Sequence, residues 1–278
     1  MDPAVDLYGA AYSEFLAGAY EQARGEAYGE DIGQHSWLLA DAYRRYLGWL
    51  ALEPASWALD VACGAGGPAL FLGRACGCQV QGMDIQEAAI AAANQMARAA
   101  GLDDRARFRQ GDASHPLPFD AERFDALLCI DAINHLPNRS RVLAEWWRVL
   151  KPGGCLLFTD PAVVTGLVSN GELATRSSNG YFLFTPPGED ERLLDAAGFA
   201  LLRRENSTAD VSLLAQRRFD ARAAHREALL ALEGQDAYEG MQRFLTVAAL
   251  LAGEGRLSRM VFLARKVESE KEEADAPA

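Results

Sequence analysis

The sequence predicts an α/β protein built on a mostly parallel sheet with helices on both faces. Three observations carry that expectation. Between residues 57 and 160, short apolar runs alternate with segments of helical periodicity. A glycine-rich turn follows the first of those runs. Acidic residues close several of the runs, which is where open α/β sheets hold their ligands.

The strands are expected at Trp57-Ala62, Gln79-Asp84, Ala106-Asp112, Phe124-Asp131 and Cys155-Asp160, with helices near 67–76, 86–100 and 138–150 between them. Two later runs, Phe199-Arg204 and Arg259-Arg265, are separated by about 50 residues of helical character and are expected to close the sheet as an antiparallel pair. Tyr8, Tyr12, Phe15, Ala19 and Tyr20 fall at helical spacing and predict an N-terminal helix with one buried face. Phe219, Leu229, Leu232, Phe244, Val247 and Leu251 predict helices inserted before the final strand. The expected organisation is therefore a helical lid over 1–50, a core over 51–208, a helical cap over 209–255, the last core strand over 256–267 and a disordered tail over 268–278.

Charge and composition narrow the partners. Acidic residues outnumber basic ones 39 to 27 in the 278-residue chain, a net charge of −12. That field repels phosphate backbones and anionic lipid, so neither nucleic acid nor a membrane is expected. No apolar run reaches the roughly 18–20 residues of a membrane span, and no leader pattern opens the chain. Cys63, Cys76, Cys78, Cys129 and Cys155 show no metal-ligand spacing and mostly sit in apolar runs, so no metal is expected and the cysteines read as reduced. The expected setting is cytoplasmic, with a small-molecule partner and with a homodimer left open.

The chemistry gathers at the strand ends. Leu59-Asp60-Val61-Ala62-Cys63-Gly64-Ala65-Gly66-Gly67-Pro68 is a glycine-rich turn opening a helix, where backbone can approach a ligand without an intervening Cβ. Gly64-x-Gly66 alone serves a nicotinamide dinucleotide equally well. Asp60 separates the two: a pyrophosphate needs N–H donors there and no carboxylate, whereas S-adenosylmethionine brings an ammonium and a sulfonium. Asp84 ends the second strand 20 residues after Gly64, placed for ribose hydroxyls in either cofactor.

Taken in order, Asp60 to Gly67, then Gly82-Met83-Asp84, Gln110-Gly111-Asp112-Ala113, Phe124-Asp125-Ala126-Leu127-Leu128 and Val149-Leu150-Lys151-Pro152-Gly153-Gly154 resemble class I S-adenosylmethionine-dependent methyltransferases over about 57–160. One departure is Ala62, where the family's pattern usually has glycine. The resemblance implies a Rossmann-like seven-stranded sheet with the last strand antiparallel. It also implies that Asp60 and the Gly64 to Gly66 turn hold the amino-acid end of the cofactor, that Asp84 holds the ribose, that Asp112 with Ala113 holds the adenine ring, and that Ala62, Ile85, Gly111 and Ile130 belong to the same cofactor site. Asp112 reads equally as a turn or cap residue.

On the acceptor side, His135 follows the fourth strand and reads either as a general base or as a structural hydrogen-bonding residue. Asp160 is expected to face the same crevice, orienting His135 or binding a cationic acceptor, or else to cap its strand. Tyr28, Gln34, His35 and Trp37 lie in a glycine-hinged segment that resembles a lid, a composition that a loop entering a helix also explains. The expected activity is methyl transfer to nitrogen or oxygen of a small molecule, ahead of carbon. A nicotinamide-dependent oxidoreductase and a catalytically inactive cofactor-binding partner protein are the competing readings.

Overall fold

The computed structural model describes residues 12, 15–178 and 180–267. Tyr8 and the tail expected to be disordered lie outside the described residues. In chain order the elements are α1 (Gly18–Tyr28), α2 (Ala40–Leu50), β1 (Trp57–Val61), α3 (Gly67–Cys76), β2 (Gln79–Asp84), α4 (Glu87–Ala99), β3 (Ala106–Gln110), β4 (Phe124–Cys129), α5 (Arg139–Val149) and β5 (Leu150–Val164). There follow α6 (Asn170–Arg176), α7 (Glu189–Ala196), β6 (Phe199–Asn206), α8 (Thr208–Ala224), α9 (Arg226–Glu233), α10 (Gln235–Gly253) and β7 (Leu257–Lys266).

The seven strands form one sheet in the order β3-β2-β1-β4-β5-β7-β6. From β3 to β5 all pairings are parallel, and β7 runs antiparallel to both β5 and β6. Alternation of side chains along each strand splits the core in two. Leu59, Val61, Leu127, Cys129, Leu156 and Phe158 face α5 and α7 through Leu143, Trp146 and Leu194. Ala58, Ala126, Leu128, Cys155 and Leu157 face the other way, against Tyr43, Leu72 and Ile90 of α2, α3 and α4. Both faces are covered, which is why the central strands read as unbroken apolar runs.

The chain moves outward through β2 and β3 on one side of β1, then returns to start β4 on the other. That reversal opens a crevice at the carboxyl ends of β1 and β4. A third apolar cluster closes over it: Ala23, Ala27 and Tyr28 of α1 and Trp37 pack with Val211 and Leu214 of α8 and Met241, Phe244 and Leu245 of α10.

Three details differ from the sequence-based expectation. The periodicity from Tyr12 to Tyr20 does not belong to one helix, because Ala17 is extended (φ −69°, ψ 139°) and α1 starts only at Gly18. Phe15 lies in the preceding turn, where its carbonyl accepts a hydrogen bond from Arg24 (2.7 Å) and its ring lies under the same guanidinium. β5 extends beyond Cys155-Asp160 at both ends, since Val163 and Val164 continue the pairing with β7 past a bulge. α6 and α7 were not foreseen, although Ser169 and Glu172 form a reciprocal capping box at the start of α6.

Candidate functional site

A cavity of about 410 Å³ occupies the crevice, a size typical of small-molecule sites. Its floor is the turn after β1. Asp60 is 4% exposed and lines the cavity, and no hydrogen bond to its carboxylate is present among the described residues. Burial, reinforced by the nearby Asp84 carboxylate, pushes the Asp60 carboxyl up to about 8. A cation bound beside it would favour its ionised form.

Ala62 then adopts a left-handed conformation (φ 56°) that side chains other than glycine's enter at a cost of roughly 1–2 kcal/mol. Gly64 (φ 55°) lines the cavity, and a Cβ there would stand 2.6 Å from the Tyr12 hydroxyl. Gly66 does not reach the cavity. It ends the turn at φ 79°, and a Cβ on it would meet the Phe108 ring and the Ala93 Cβ at 2.8 Å. Its role is to let α3 approach β3 and α4.

Asp84 fixes this turn from the next strand. Its carboxylate accepts hydrogen bonds from the backbone N–H of Gly64 (2.8 Å) and of Gln86 (2.9 Å), and burial raises its pKa. Ile85 beside it is an exposed apolar side chain on the cavity wall. Gly111, Asp112 and Ala113 line the wall beyond. Asp112 accepts from the Ser114 N–H (2.8 Å) and hydroxyl (2.7 Å) and bonds the His115 ring (2.9 Å). Burial alone would raise its carboxyl, but the Ser114 and His115 hydrogen bonds outweigh that and hold it below the ordinary value. Asp112 is thus a turn residue and a cavity residue at once.

Ile130 and His135 line the opposite wall after β4. The His135 Nδ1 lies 2.8 Å from the Tyr181 carbonyl oxygen. A carbonyl only accepts, so Nδ1 carries the proton and Nε2 is the basic nitrogen of the neutral ring. Burial lowers the His135 pKa, an effect larger than the opposing bond to Tyr181.

Asp160 corrects the expectation that it faces the crevice. It is fully buried, bound by Arg139 (2.6 Å), the Thr185 hydroxyl (2.9 Å) and the Ala162 N–H (2.9 Å), and Arg139 also grips Asp190 (2.6 Å). Its carboxylate joins β5 to α5 and α7 and is not part of the cavity wall. In the 28–37 segment, His35 and Trp37 line the cavity, but Tyr28 and Gln34 do not. Tyr28 donates to the Ser36 carbonyl (2.7 Å), and Gln34 accepts from Ile32 N–H (2.7 Å) while donating to Glu30 and Leu38 carbonyls. Both hold the segment's own shape. Burial, with Arg218, Arg24 and Arg222 close by, keeps His35 neutral by lowering its pKa well below the ordinary value.

The structure also brings in residues that sequence reading did not assign. Asp131 (φ 55°) lines the cavity, accepts the Trp37 N–H (2.8 Å) and pairs with the buried Arg259 (2.7 Å), tying the N-terminal segment to β4 and β7. Its signal was an acid ending β4 as Asp60 nearly ends β1. Tyr181, Arg218, Met241 and Phe244 also line the wall, and nothing in their sequence spacing distinguishes them from ordinary surface or core positions.

Residues 59–158 match the methyltransferase domain family. The chain is similar to methyltransferases over that segment and beyond it. It is 32% identical over 216 residues to the sterol 24-C-methyltransferase ERG6B of Gibberella zeae, a match covering 74% of this chain and 53% of that one. It is 32% identical over 171 residues to the 27-O-demethylrifamycin SV methyltransferase of Amycolatopsis mediterranei, covering 60% and 61%. Its fold matches the Haemonchus contortus phosphoethanolamine N-methyltransferase 2 solved with S-adenosyl-L-methionine, at TM-score 0.77 and 22% identity, over 92% of this chain and 60% of that one. The chain spans about half the length of the curated relatives it matches. The crevice fits S-adenosylmethionine, for it offers the ligand's cations the buried Asp60, whose carboxylate accepts no hydrogen bond among the described residues.

Proposed function

We propose that the chain transfers a methyl group from S-adenosylmethionine to an oxygen or nitrogen of a small molecule. The observation that carries this reading is the placement of His135, whose Nδ1 bonds the Tyr181 carbonyl, on the wall of a cavity that Asp60 and Asp84 also line. When bound, the cofactor supplies an electrophilic methyl group on a sulfonium. Asp60 would hold its ammonium, Asp84 and Ile85 its ribose, and the Gly111 to Ala113 turn its adenine.

The remaining work is alignment and proton removal. Holding acceptor and methyl donor in line supplies on the order of 7–11 kcal/mol of a two-reactant barrier in well-oriented systems. His135 Nε2 would accept the acceptor's proton, a role typically worth about 10²–10⁴ in rate. Trp37, Met241 and Phe244 add apolar surface to the cavity wall. The likeness to the rifamycin methyltransferase supports oxygen as acceptor, and the likeness to sterol 24-C-methyltransferases favours carbon as the second reading. No helix among the described residues is long and apolar enough to cross a membrane. The five unpaired cysteines support a reducing, cytoplasmic setting.

Turnover with methyl-labelled S-adenosylmethionine and a panel of hydroxylated and amine metabolites tests the reading. Label found on oxygen or nitrogen, with S-adenosylhomocysteine formed in equal amount, is the expected result. Label on carbon selects the second reading. No protein-dependent transfer across the panel, with cofactor bound, would make the chain a cofactor-binding partner protein.

A further inference from the structure

The two ends of the cavity differ in charge. Asp60, Asp84 and Asp112 line the cofactor end, whereas the cap contributes a cation, Arg218 of α8. Arg218 is 8% exposed and lines the cavity. Its guanidinium carbon lies 5.1 Å from the centroid of the Trp37 ring, and among the described residues it forms no salt bridge or hydrogen bond. The other arginines around His35 are neutralised: Arg24 pairs with Asp31, and Arg222 with Glu233. Asp131, on the same side of the cavity, is taken by Arg259.

A buried guanidinium without a carboxylate is costly to keep, and its field at the cavity is strong because the surroundings are apolar. Those surroundings are an aromatic shelf. Trp37 and Phe244 stack at 6.1 Å with 14° between their planes, Met241 lies beside them on α10, and Arg176 stands 4.6 Å from the Phe244 ring centroid. A protein of net charge −12 has placed a cation on the wall of this cavity.

We infer that Arg218 is an oxyanion-binding subsite, and that the acceptor is an apolar, ring-bearing molecule carrying a carboxylate or phosphate. The anion pairs with the guanidinium, the ring packs beside Trp37 and Phe244 where they line the cavity, and the methylated atom is left toward His135. This rests on the methyltransferase reading for the identity of the second ligand as an acceptor. A planar guanidinium suits either anion, since both present the paired oxygens its donor fork matches.

The test uses cinnamate, phenyl phosphate and neutral cinnamamide, each titrated calorimetrically into the full chain with and without saturating S-adenosylhomocysteine. The acids are expected to bind at least about tenfold more tightly than the amide, as hydrogen bonds to a charged group allow. Whichever acid binds more tightly names the oxyanion. R218Q should abolish the preference for the acids, R218K should retain part of it, and both variants should bind S-adenosylhomocysteine as the wild type does, which also shows that they fold. Equal binding of acid and amide, or a preference that survives R218Q, overturns the inference. So does an R218Q variant that binds acids normally but S-adenosylhomocysteine tenfold more weakly, because Arg218 would then hold the cofactor's own carboxylate. Failure of the wild type to bind S-adenosylhomocysteine would instead count against the methyltransferase reading, with the acid preference still measurable in its absence.

Discussion

Asp60→Asn separates the stability of the empty protein from its function. The carboxyl is raised from 3.8 to about 8 by burial and by Asp84. A raised acid holds its proton in the folded chain and loses it in the unfolded one, so folding is weakened progressively as pH climbs from about 4 to about 8 and levels off above. At about 1.36 kcal/mol per pH unit, the upper bound of that effect is on the order of 5 kcal/mol. Asparagine removes it. Even a third of the bound raises Tm by about 4 °C for a chain of this size. Scanning fluorimetry of the ligand-free proteins should therefore show the variant more stable at pH 8.5 and equal to wild type below pH 4. Cofactor affinity should move the other way, because a hydrogen-bonded charge is worth about 1.5–3 kcal/mol, or at least tenfold. Binding near pH 7 should also release a proton from wild-type Asp60 and none from the variant, seen as a buffer-dependent enthalpy. A variant no more stable at pH 8.5, or one that binds S-adenosylmethionine normally, would refute the assignment of Asp60 to the cation.

Asp84→Ala removes the acceptor that positions the Gly64 and Gln86 N–H groups as well as the expected ribose contacts. Its affinity for S-adenosylhomocysteine should fall at least about tenfold by calorimetry, and unchanged affinity would take Asp84 out of the site. Hydrogen exchange across 28–38 and 209–255 should slow when S-adenosylhomocysteine and acceptor bind, and identical exchange at 28–38 would end the lid reading. His135→Ala should lower kcat by roughly 10² with cofactor affinity retained. Because burial lowers the His135 pKa, its imidazole stays neutral to below pH 6.5, and the wild-type rate should fall only as pH drops beneath that value. A rate that already falls at pH 7 or above, or a variant changed only in KM, would make His135 a binding residue.

The parts of the fold that were legible in the sequence are those encoded by near neighbours. β1, β4 and β5 announce themselves because both of their faces are buried, and Gly64, Asp60 and Asp84 sit at fixed places relative to those strands. Gly66 was legible as a required glycine but not as a packing glycine, since the ring that demands it, Phe108, lies over 40 residues away. Asp160 shows the same limit in charge: whether a strand-end acid faces a ligand or an ion pair depends on Arg139 and Asp190, which topology alone brings to it. Arg218 carried no signal at all. On a helix of mixed polarity an arginine reads as a solvated face, and only the docking of α8 against Trp37 turns it inward.

The central claim is that this crevice is built for a cationic, phosphate-free cofactor. Parallel calorimetric titrations with S-adenosylmethionine and with NAD test it most directly. Saturable one-to-one binding of S-adenosylmethionine, weakened by Asp60→Asn, with no heat from NAD, is the predicted result. Binding of NAD with no response to S-adenosylmethionine would contradict it.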